Sequence, residues 1–248
     1  GDIVLDIYLS LDESYGPARA DLFRYLILYD KGGIYLDIKS SITTSFDNVI
    51  KPNDEYILCH WGPGREWNKR ALNMKKGEFI NWFIACKPRH PFLKQVITNI
   101  LGEILKINNN KIVKSGKHSV IRITGPIIYT KTIMDMITNS NDKYKYRIID
   151  NPDNINLIYA CRDHIKITKN HYSLNKKHII NFNDGLNNIS DSDINNISSF
   201  EQILKYQTSP EEVACVIYEP VQGEGGINSL DKGFLKDIHD ICSKYDII

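Results

Sequence analysis

Apolar residues recur at helical spacing over residues 16–31, and the pattern then changes to alternation. Gly16 and Pro17 are typical of a helix start, and Gly32-Gly33 is typical of a helix end. Residues 34–38 are predicted to form a strand, because side chains on a strand point alternately to two faces. We expect Ile34, Leu36 and Ile38 on the core face, and Tyr35, Asp37 and Lys39 on the other face.

Short apolar runs alternate with amphipathic segments over the rest of the first 180 residues. A buried strand, a proline-bounded turn and a helix are predicted over residues 77–97, and a further helix from Pro126 to about Ile137, capped by Thr124. The fragment IVLDIYL at residues 3–9 is interpreted as part of a first strand. Further strands are predicted at residues 56–59, 146–150, 155–160 and 176–182. The predicted fold class is α/β, with a mixed sheet and flanking helices.

Charged residues with defined spacing surround the helix-to-strand turn. Asp21 and Arg24 lie three residues apart, which places them on one helix face. This pair is interpreted either as a surface ion pair or as part of a ligand site. Asp37 lies near the C-terminal end of its predicted strand, where open α/β sheets bind their ligands. The sequence therefore predicts a ligand site at this end of the strand.

This stretch resembles the signature R-x-D-x-x-R, L-x-x-x-GG-x-Y-x-D-x-D of DXD glycosyltransferases of family thirty-two, which includes fungal mannosyltransferases. The resemblance implies a GT-A (Rossmann-like) fold, a nucleotide-sugar donor and usually Mn²⁺. It implies that Arg19, Asp21 and Arg24 hold the donor sugar, and that Asp37 contacts the donor ribose and helps to hold the metal. The matching residues are Arg19, Asp21, Arg24, Leu28, Gly32, Gly33, Tyr35 and Asp37.

The second acid of the DXD motif is replaced by Lys39. Two carboxylates at positions i and i+2 of a strand can share one divalent ion, which stabilises a leaving diphosphate. A protonated lysine has no acceptor and cannot bind a metal. Lys39 is interpreted as a metal substitute that contacts the diphosphate, as a mark of a decayed donor site, or as a solvated lysine paired with Asp37.

Three further segments carry candidate site residues. Asn81 matches a second motif of the family, and the resemblance together with its amide chemistry suggests that it faces the donor sugar. His90 is expected at a helix start. The loop over residues 60–70 contains two tryptophans beside glycines, which is typical of either a sugar-stacking lid or an anchored structural loop. The family also places a late histidine or tryptophan near the diphosphate, and the candidates are His164, His171 and His178.

Composition narrows the function classes. The net charge of +1 gives no electrostatic argument for a nucleic-acid partner. No apolar run approaches the roughly 20 residues that span a bilayer. The chain begins at Gly1 without a signal peptide, so a cytoplasmic location is the expectation. Five scattered cysteines without a C-x-x-C pair predict reduced thiols.

The C-terminal segment resembles a different family, the class III aminotransferases, which use pyridoxal phosphate. The match covers a strand, the loop over residues 219–226 and a helix. In that family the acidic loop lines the cofactor pocket. The chain ends before the aspartate and lysine motifs that follow in the family, so pyridoxal phosphate is expected only if the fragment is completed. The matching loop residues are Glu219, Gln222, Gly223 and Glu224.

The sequence therefore predicts a GT-A-like domain over residues 1–180 whose N-terminal part is missing, an Asn/Ser-rich linker over 181–209 and an aminotransferase-like fragment over 210–248. The expected activity is retaining transfer of a hexose from a UDP- or GDP-sugar to a glycan or protein acceptor. The catalytic candidates are Asp37 and Lys39, and the donor-sugar candidates are Arg19, Asp21, Arg24, Tyr35 and Asn81. The alternatives are a non-catalytic sugar- or nucleotide-binding module, and part of a fusion with an aminotransferase.

Overall fold

The computed structural model describes residues 3–37, 40–139, 144–159, 175–187, 189–190 and 193–194. The helices are α1 (Ile3–Ser10), α2 (Gly16–Lys31), α3 (Lys69–Leu72), α4 (Pro91–Asn109), α5 (Gly116–Ile123) and α6 (Pro126–Thr138). The strands are β1 (Gly33–Leu36), β2 (Ser41–Ile42), β3 (Tyr56–Cys59), β4 (Phe83–Cys86), β5 (Arg147–Ile149) and β6 (Leu157–Ile158).

A four-stranded mixed sheet lies at the centre, with the strand order β1-β4-β3-β5. Strand β4 pairs antiparallel with both β1 and β3, and β3 pairs parallel with β5. Strands β2 and β6 form a separate antiparallel pair. The predicted α/β fold class with a mixed sheet and flanking helices is confirmed.

Both faces of β3 and β4 are buried, so these central strands read as continuous apolar runs. Leu58 and Ile84 belong to one core cluster, which they share with residues of α1, α2, α4, α5 and α6. Ile57 and Phe83 belong to a second cluster on the opposite face, together with Trp82 and Ile149. The strict alternation between clusters follows from the two-residue period of a strand.

The Gly32-Gly33 pair is required by the turn from α2 into β1. Gly32 has a φ of +67°, and a Cβ atom there would lie 2.5 Å from the backbone nitrogen of Pro88. Because both the left-handed backbone and the close approach exclude a side chain, glycine is needed at this position. The turn thus fixes where β1 leaves the helix and where Asp37 emerges from the strand.

Several sequence predictions are confirmed at the level of elements. Helix α2 begins at Gly16 and is followed by Gly32, strand β3 covers the predicted residues 56–59, and α6 ends one residue beyond Ile137. His90 is at the N-cap of α4, where its Nδ1 accepts a hydrogen bond from the backbone N–H of Phe92. Burial lowers the pKa of His90 to about 4, which keeps this acceptor neutral.

The prediction of a strand at residues 3–9 is wrong, because this segment forms helix α1. Val4, Ile7 and Leu11 are all buried and are spaced three and four apart, which is the helical period. The expectation that Ile34 faces the core is also wrong. Strand β1 lies at the sheet edge, and Ile34 is 39% exposed there.

Two further element predictions need correction. The segment 176–182 was expected to be a strand, but its described residues contain only an isolated bridge between Ile180 and Leu11. Thr124 is not the N-cap of α6, because that position is occupied by Gly125. In the Asn/Ser-rich segment, Leu186 and Ile194 pack into the core. The domain boundaries stay predictions, and residues 210–248 lie outside the described part of the chain.

The described helices include none that is both long enough and apolar enough to cross a bilayer. Cys59 and Cys86 are free thiols, in agreement with the prediction for these two positions.

Candidate functional site

Asp21 and Arg24 form a buried ion pair on the face of α2 that packs against the rest of the protein. The Nη2 of Arg24 lies 3.3 Å from Asp21 Oδ1, and both side chains are less than 10% exposed. The interpretation of this pair as a surface ion pair is therefore wrong. A buried charge persists only when it is paired and hydrogen-bonded, so the surroundings of the pair decide its role.

Arg24 joins this pair to the residues that end strand β1. Its Nη1 lies 3.3 Å from Asp37 Oδ1, and its guanidinium stacks 4.5 Å from the ring centroid of Tyr35. The Tyr35 hydroxyl donates a 2.9 Å hydrogen bond to the same Asp37 oxygen. The guanidinium therefore lies between two carboxylates, one from α2 and one from the strand end.

Asn81 and Thr124 complete the environment of Asp21. The Asn81 amide donates to Asp21 Oδ1 at 3.0 Å and to the Tyr25 hydroxyl at 2.9 Å. The Thr124 hydroxyl donates to Asp21 Oδ2 at 3.1 Å, and the backbone carbonyl of Asn81 accepts from Arg24 Nη1 at 2.8 Å. We call the set Asp21, Arg24, Tyr35, Asp37, Asn81 and Thr124 the acid network.

Burial and charge shift the pKa values within the acid network. Burial raises the pKa of Asp21 to about 6, the Arg24 guanidinium opposes this rise, and the Asp37 carboxylate adds to it. Burial acts to lower the pKa of Arg24, but the carboxylates of Asp21 and Asp37 outweigh it, so its pKa is raised and it stays charged. Burial also raises the pKa of the Tyr35 hydroxyl, which stays protonated and donates to Asp37.

The raised pKa of Asp21 predicts a specific dependence of stability on pH. The folded-state pKa of about 6 exceeds the ordinary aspartate value of 3.8, so the folded protein holds this proton more tightly than the unfolded chain. This stabilisation is complete below about pH 4 and is lost as the pH rises through 6. We expect the unfolding free energy of the wild-type protein, minus that of Asp21→Asn, to fall by about 3 kcal/mol over this interval, because each pKa unit corresponds to about 1.4 kcal/mol. Urea unfolding measures both free energies.

A matched control for this prediction is Asp30→Asn, at the other end of α2. The Asp30 side chain is also buried, and it pairs with Lys31 and Arg89. The prediction is contradicted if the difference in unfolding free energy between wild type and Asp30→Asn falls with pH, while the difference between wild type and Asp21→Asn stays constant. Asp21 would then not be the source of the pH dependence.

Asp37 is the outward end of the acid network. Its side chain is 19% exposed, whereas those of Asp21 and Arg24 are below 10%. The backbone N–H of Asp37 donates to the carbonyl of Trp82, and the backbone N–H of Ser40 donates to the carbonyl of Asp37. Ser40 Oγ and Trp82 Nε1 are both buried without a hydrogen-bond partner among the described residues. Such orphan groups call for an explanation, and a polar ligand is one.

The two tryptophans of the 60–70 loop have different surroundings. Trp61 packs against Trp82 and Tyr159, and its Nε1 donates to the buried carboxylate of Glu78. Trp67 is 56% exposed. The loop therefore contains one tryptophan anchored beside Trp82 and one at the surface. Trp61 therefore fits the description of an anchored structural loop. Of the two tryptophans, only Trp67 has the exposure that a sugar-stacking lid requires.

Arg19 lies apart from the acid network. Its Nε and Nη2 donate to the backbone carbonyl of Leu11, and its guanidinium lies 5.8 Å from the ring centroid of Tyr8. His178 is likewise separate, since its ring nitrogens bond to backbone groups of Ile112 and Ile180. Several predicted site residues lie outside the described residues, namely Lys39, His164, His171, Glu219, Gln222, Gly223 and Glu224.

The described residues around Asp37 do not by themselves form a manganese site. Among the described residues, no group of three or more His, Cys, Asp or Glu side chains has the arrangement of a metal site. Both oxygens of Asp21 accept hydrogen bonds, and one oxygen of Asp37 is held by Arg24 and Tyr35. The position two residues beyond Asp37 is a lysine. Mn²⁺ requires several oxygen ligands, and Asp37 offers only one uncommitted oxygen.

Two residues that contribute to this site were not among the sequence candidates, namely Thr124 in the acid network and Tyr25 beside it. Thr124 lies in a T-G-P segment that resembles a motif of the family, and it was predicted as a helix cap; the structure instead places its hydroxyl on Asp21. Tyr25 was not singled out, and its hydroxyl accepts from Asn81. Asp21, Arg24, Tyr35, Asp37 and Asn81 were predicted as site residues, and the structure brings these five together.

Two family models match the chain. The glycosyltransferase sugar-binding region containing the DXD motif matches residues 6–57, which include α2, β1 and Asp37. The class III aminotransferase family matches residues 156–248, which include the acidic loop at 219–226. The two resemblances predicted from the sequence are thus confirmed, each over part of the chain.

The relatives with similar sequences are likewise glycosyltransferases or aminotransferases. The initiation-specific alpha-1,6-mannosyltransferase of Schizosaccharomyces pombe is 34% identical over 152 residues, which cover 58% of this chain and 37% of that protein. The Candida albicans protein of the same name is 30% identical over 49% of this chain and 35% of its own length. This chain thus spans about a third of these relatives. The acetylornithine aminotransferase of Prochlorococcus marinus is 40% identical over 55 residues, covering 22% of this chain and 13% of that protein.

Among solved structures, the PaToxG glycosyltransferase aligns with a TM-score of 0.40 and 20% identity, covering 57% of this chain and 43% of that chain.

Proposed function

We propose that this protein is a glycosyltransferase that uses a nucleotide-sugar donor, with Asp37 as the acid that faces the donor. One observation carries the proposal. Residues from four separate segments, Asp21 with Arg24, Tyr35 with Asp37, Asn81 and Thr124, meet in one network with a partly exposed carboxylate at its end. The first two segments lie within the region that matches the glycosyltransferase family model, and the segments of Asn81 and Thr124 resemble further motifs of that family.

The proposed reaction is transfer of a hexose with retention of configuration, as the family resemblance implies. Mannose is the proposed sugar, because two relatives are named as mannosyltransferases, and the proposed acceptor is a glycan. The transition state carries positive charge on the sugar ring and negative charge on the departing diphosphate. We assign the balance of the first charge to Asp37, because its carboxylate is the partly exposed acid of the network.

We propose that the reaction is independent of a divalent metal, with Lys39 as the cation that balances the diphosphate. This proposal rests on the poor fit of the Asp37 surroundings to Mn²⁺ and on the lysine in place of the second acid. A lysine ammonium is a compact point charge that binds phosphate oxygens without a metal.

A panel of UDP- and GDP-sugars, incubated with Mn²⁺ or with EDTA, tests the activity and the metal together. We expect release of free nucleotide from GDP-mannose at the same rate in both conditions. Lys39→Met should reduce this release by about 100-fold, the usual effect of removing one preorganised electrostatic group. Lys76→Met, which removes an exposed lysine paired with Asp150, is the matched control and should keep the wild-type rate.

Other outcomes of the panel have defined meanings. Release that requires Mn²⁺ would contradict metal independence while supporting the transferase. If Lys39→Asp shows Mn²⁺-dependent release and the wild-type protein shows none, the wild-type donor site is decayed and lacks only that ligand. No release by any form, in samples whose circular dichroism shows a folded protein, would contradict the transferase.

A non-catalytic sugar- or nucleotide-binding module is the second candidate, and the loss of the second DXD acid at Lys39 favours it. Such a module would bind GDP-mannose in calorimetry without releasing GDP. The class III match over residues 156–248 favours a third candidate, a part of a pyridoxal-phosphate aminotransferase fusion. The mass of the native protein tests it, because a functional aminotransferase requires a later lysine for the Schiff base.

A further inference from the structure

We propose that a lysine-rich surface at the start of α5 docks on an anionic phospholipid bilayer. Two segments form this surface, residues 111–117 and residues 176–182. Docking is independent of the proposed function, since it is measured without a sugar donor. We call the surface the basic face, and its exposed residues are Lys111, Val113, Lys114, Lys117, Lys176 and Phe182.

Positive charge is concentrated in one stretch of a chain that is nearly neutral overall. The net charge is +1, whereas residues 104–134 contain no aspartate or glutamate. A positive potential of local origin acts on an anionic surface within about one Debye length, roughly 10 Å, whatever the net charge of the whole chain. The cations of this stretch are all exposed, namely Lys106, Lys111, Lys114, Lys117, Arg122 and Lys131.

Backbone and ring contacts hold the two segments of the basic face together. The Nε2 of His178 lies 2.7 Å from the carbonyl oxygen of Ile112, and its ring centroid lies 4.5 Å from that of Phe182. The backbone N–H of Ile179 donates to the carbonyl of Lys114 at 2.8 Å. The lysines of the first segment and Phe182 of the second therefore lie side by side in the folded chain.

Two apolar side chains are exposed among these lysines. Val113 is 73% exposed, more than any other large apolar residue that the structure describes, and Phe182 is 42% exposed. The Nζ of Lys111 lies 5.1 Å from the ring centroid of Phe182. Lysines beside exposed aliphatic and aromatic side chains are typical of surfaces that lie in the headgroup region of a bilayer.

The exposure of Val113 favours a bilayer over an anionic polymer as the partner. A nucleic acid or a polysaccharide sulfate would satisfy the lysines but would leave Val113 in water. A bilayer satisfies both groups, because lipid phosphates attract the ammonium groups and the acyl boundary accepts the apolar side chain. Asp184 is the acid that pairs with a lysine of the face, at 2.9 Å from the Nζ of Lys111.

Helix α5 connects the basic face to the acid network. The helix begins at Gly116, within the face, and ends at Ile123, one residue before the Thr124 that donates to Asp21. Its 8 residues span about 12 Å, at about 1.5 Å per residue. Docking of the face would therefore hold the acid network near the bilayer surface, within reach of acceptors that the membrane carries.

Cosedimentation of the full chain with lipid vesicles tests the docking. We expect binding to phosphatidylcholine vesicles that contain about 30 mol% phosphatidylserine, and no binding to vesicles of phosphatidylcholine alone. Lys114→Gln combined with Lys117→Gln should lower the partition coefficient by about 30-fold, because each lysine near an anionic surface contributes about fivefold. The matched control, Lys75→Gln combined with Lys94→Gln, removes the same charge from exposed positions elsewhere and should bind as wild type within about twofold.

Val113→Ser separates contact with the apolar part of the bilayer from attraction by charge. We expect it to lower partition into the phosphatidylserine vesicles by about tenfold, because it removes an apolar side chain that docking buries. Its binding to heparin, an anionic polymer without an apolar region, should equal that of wild type. The position is exposed, so the free energy of unfolding should change by less than about 0.5 kcal/mol.

Three outcomes would overturn the docking, in samples whose circular dichroism shows a folded protein. The first is no cosedimentation with phosphatidylserine vesicles. The second is an equal loss of binding in the two double variants, which would show a response to total charge and not to the basic face. The third is binding to heparin or duplex DNA without binding to vesicles, which would identify a polyanion in water as the partner.

Discussion

Arg24→Met is expected to lower the free energy of unfolding by about 3–5 kcal/mol, which is the usual cost of removing one partner of a buried ion pair. The substitution keeps an unbranched side chain of similar length, so the loss reports on charge more than on volume. It leaves Asp21 and Asp37 as two neighbouring carboxylates whose shared cation is gone. Urea unfolding followed by circular dichroism measures the change.

The loss should depend on pH in a defined direction. Burial and the Asp37 charge already raise the pKa of Asp21 to about 6, and removal of Arg24 raises it further. The Asp21 carboxyl of the variant is therefore protonated at pH 5, and the destabilisation should be smaller there than at pH 8. Arg122→Met, at an exposed position on α5, is the control and should change stability by less than about 0.5 kcal/mol. A loss in Arg24→Met as small as that of the control would show that the pair is not buried in solution.

Asp37→Asn is expected to reduce nucleotide release from GDP-mannose by about 100-fold, the order found when one preorganised electrostatic group is removed. The amide keeps the size of the side chain and an oxygen that accepts from Tyr35, but it removes the charge that we propose acts on the donor. The unfolding free energy should change much less than in Arg24→Met, because the Asp37 side chain is partly exposed and Arg24 keeps Asp21 as its partner.

The control for this prediction is Asp47→Asn, an exposed aspartate whose carboxylate bonds to Ser45. It should keep the wild-type rate of nucleotide release. If folded Asp37→Asn releases nucleotide at the wild-type rate, Asp37 takes no part in the reaction. The acid network would then no longer support the proposed function. A large loss of both stability and activity would instead place Asp37 among the groups that hold the fold.

Arg24 and Asp37 therefore have separable roles, although their side chains are in contact. Arg24 is fixed by two carboxylates and two backbone carbonyls, so we expect its removal to lower mainly the free energy of unfolding. Asp37 has one committed oxygen and partial exposure, so we expect its removal to lower mainly the rate of the proposed reaction. This division follows from the burial of each group, since a buried unpaired charge costs far more than a partly solvated one.

Local sequence patterns were sufficient to predict most of the elements and most of the candidate site. Helix α2 and its end at Gly32 follow from Pro17, the apolar spacing and the glycine pair, which are short-range features. Strands β3 and β4 follow from continuous apolar runs, because both of their faces are buried. Asp21, Arg24, Tyr35, Asp37 and Asn81 were found through their spacing and the motif that they resemble.

The burial of each group depended on contacts that the sequence does not display. Asp21 and Arg24 have the same spacing whether the pair is exposed or buried. The pair is buried because α2 packs against β1 and the segment that contains Asn81. Residues 3–9 fit either a strand or a helix, and tertiary packing selected helix α1. Arg19 belongs to the same motif as Asp21, yet its contacts are with Leu11 and Tyr8.

The sequence by itself determined most of the elements, the residue types of the site and the replacement of the second acid by Lys39. Only the tertiary structure decided that Thr124 bonds to Asp21 across 103 residues and that Asp37 is the exposed end of the network. The physical reason is the range of the forces involved. Helix and strand signals act within a few residues, whereas the pairing and desolvation of a buried charge depend on groups that are brought together only by the packed chain.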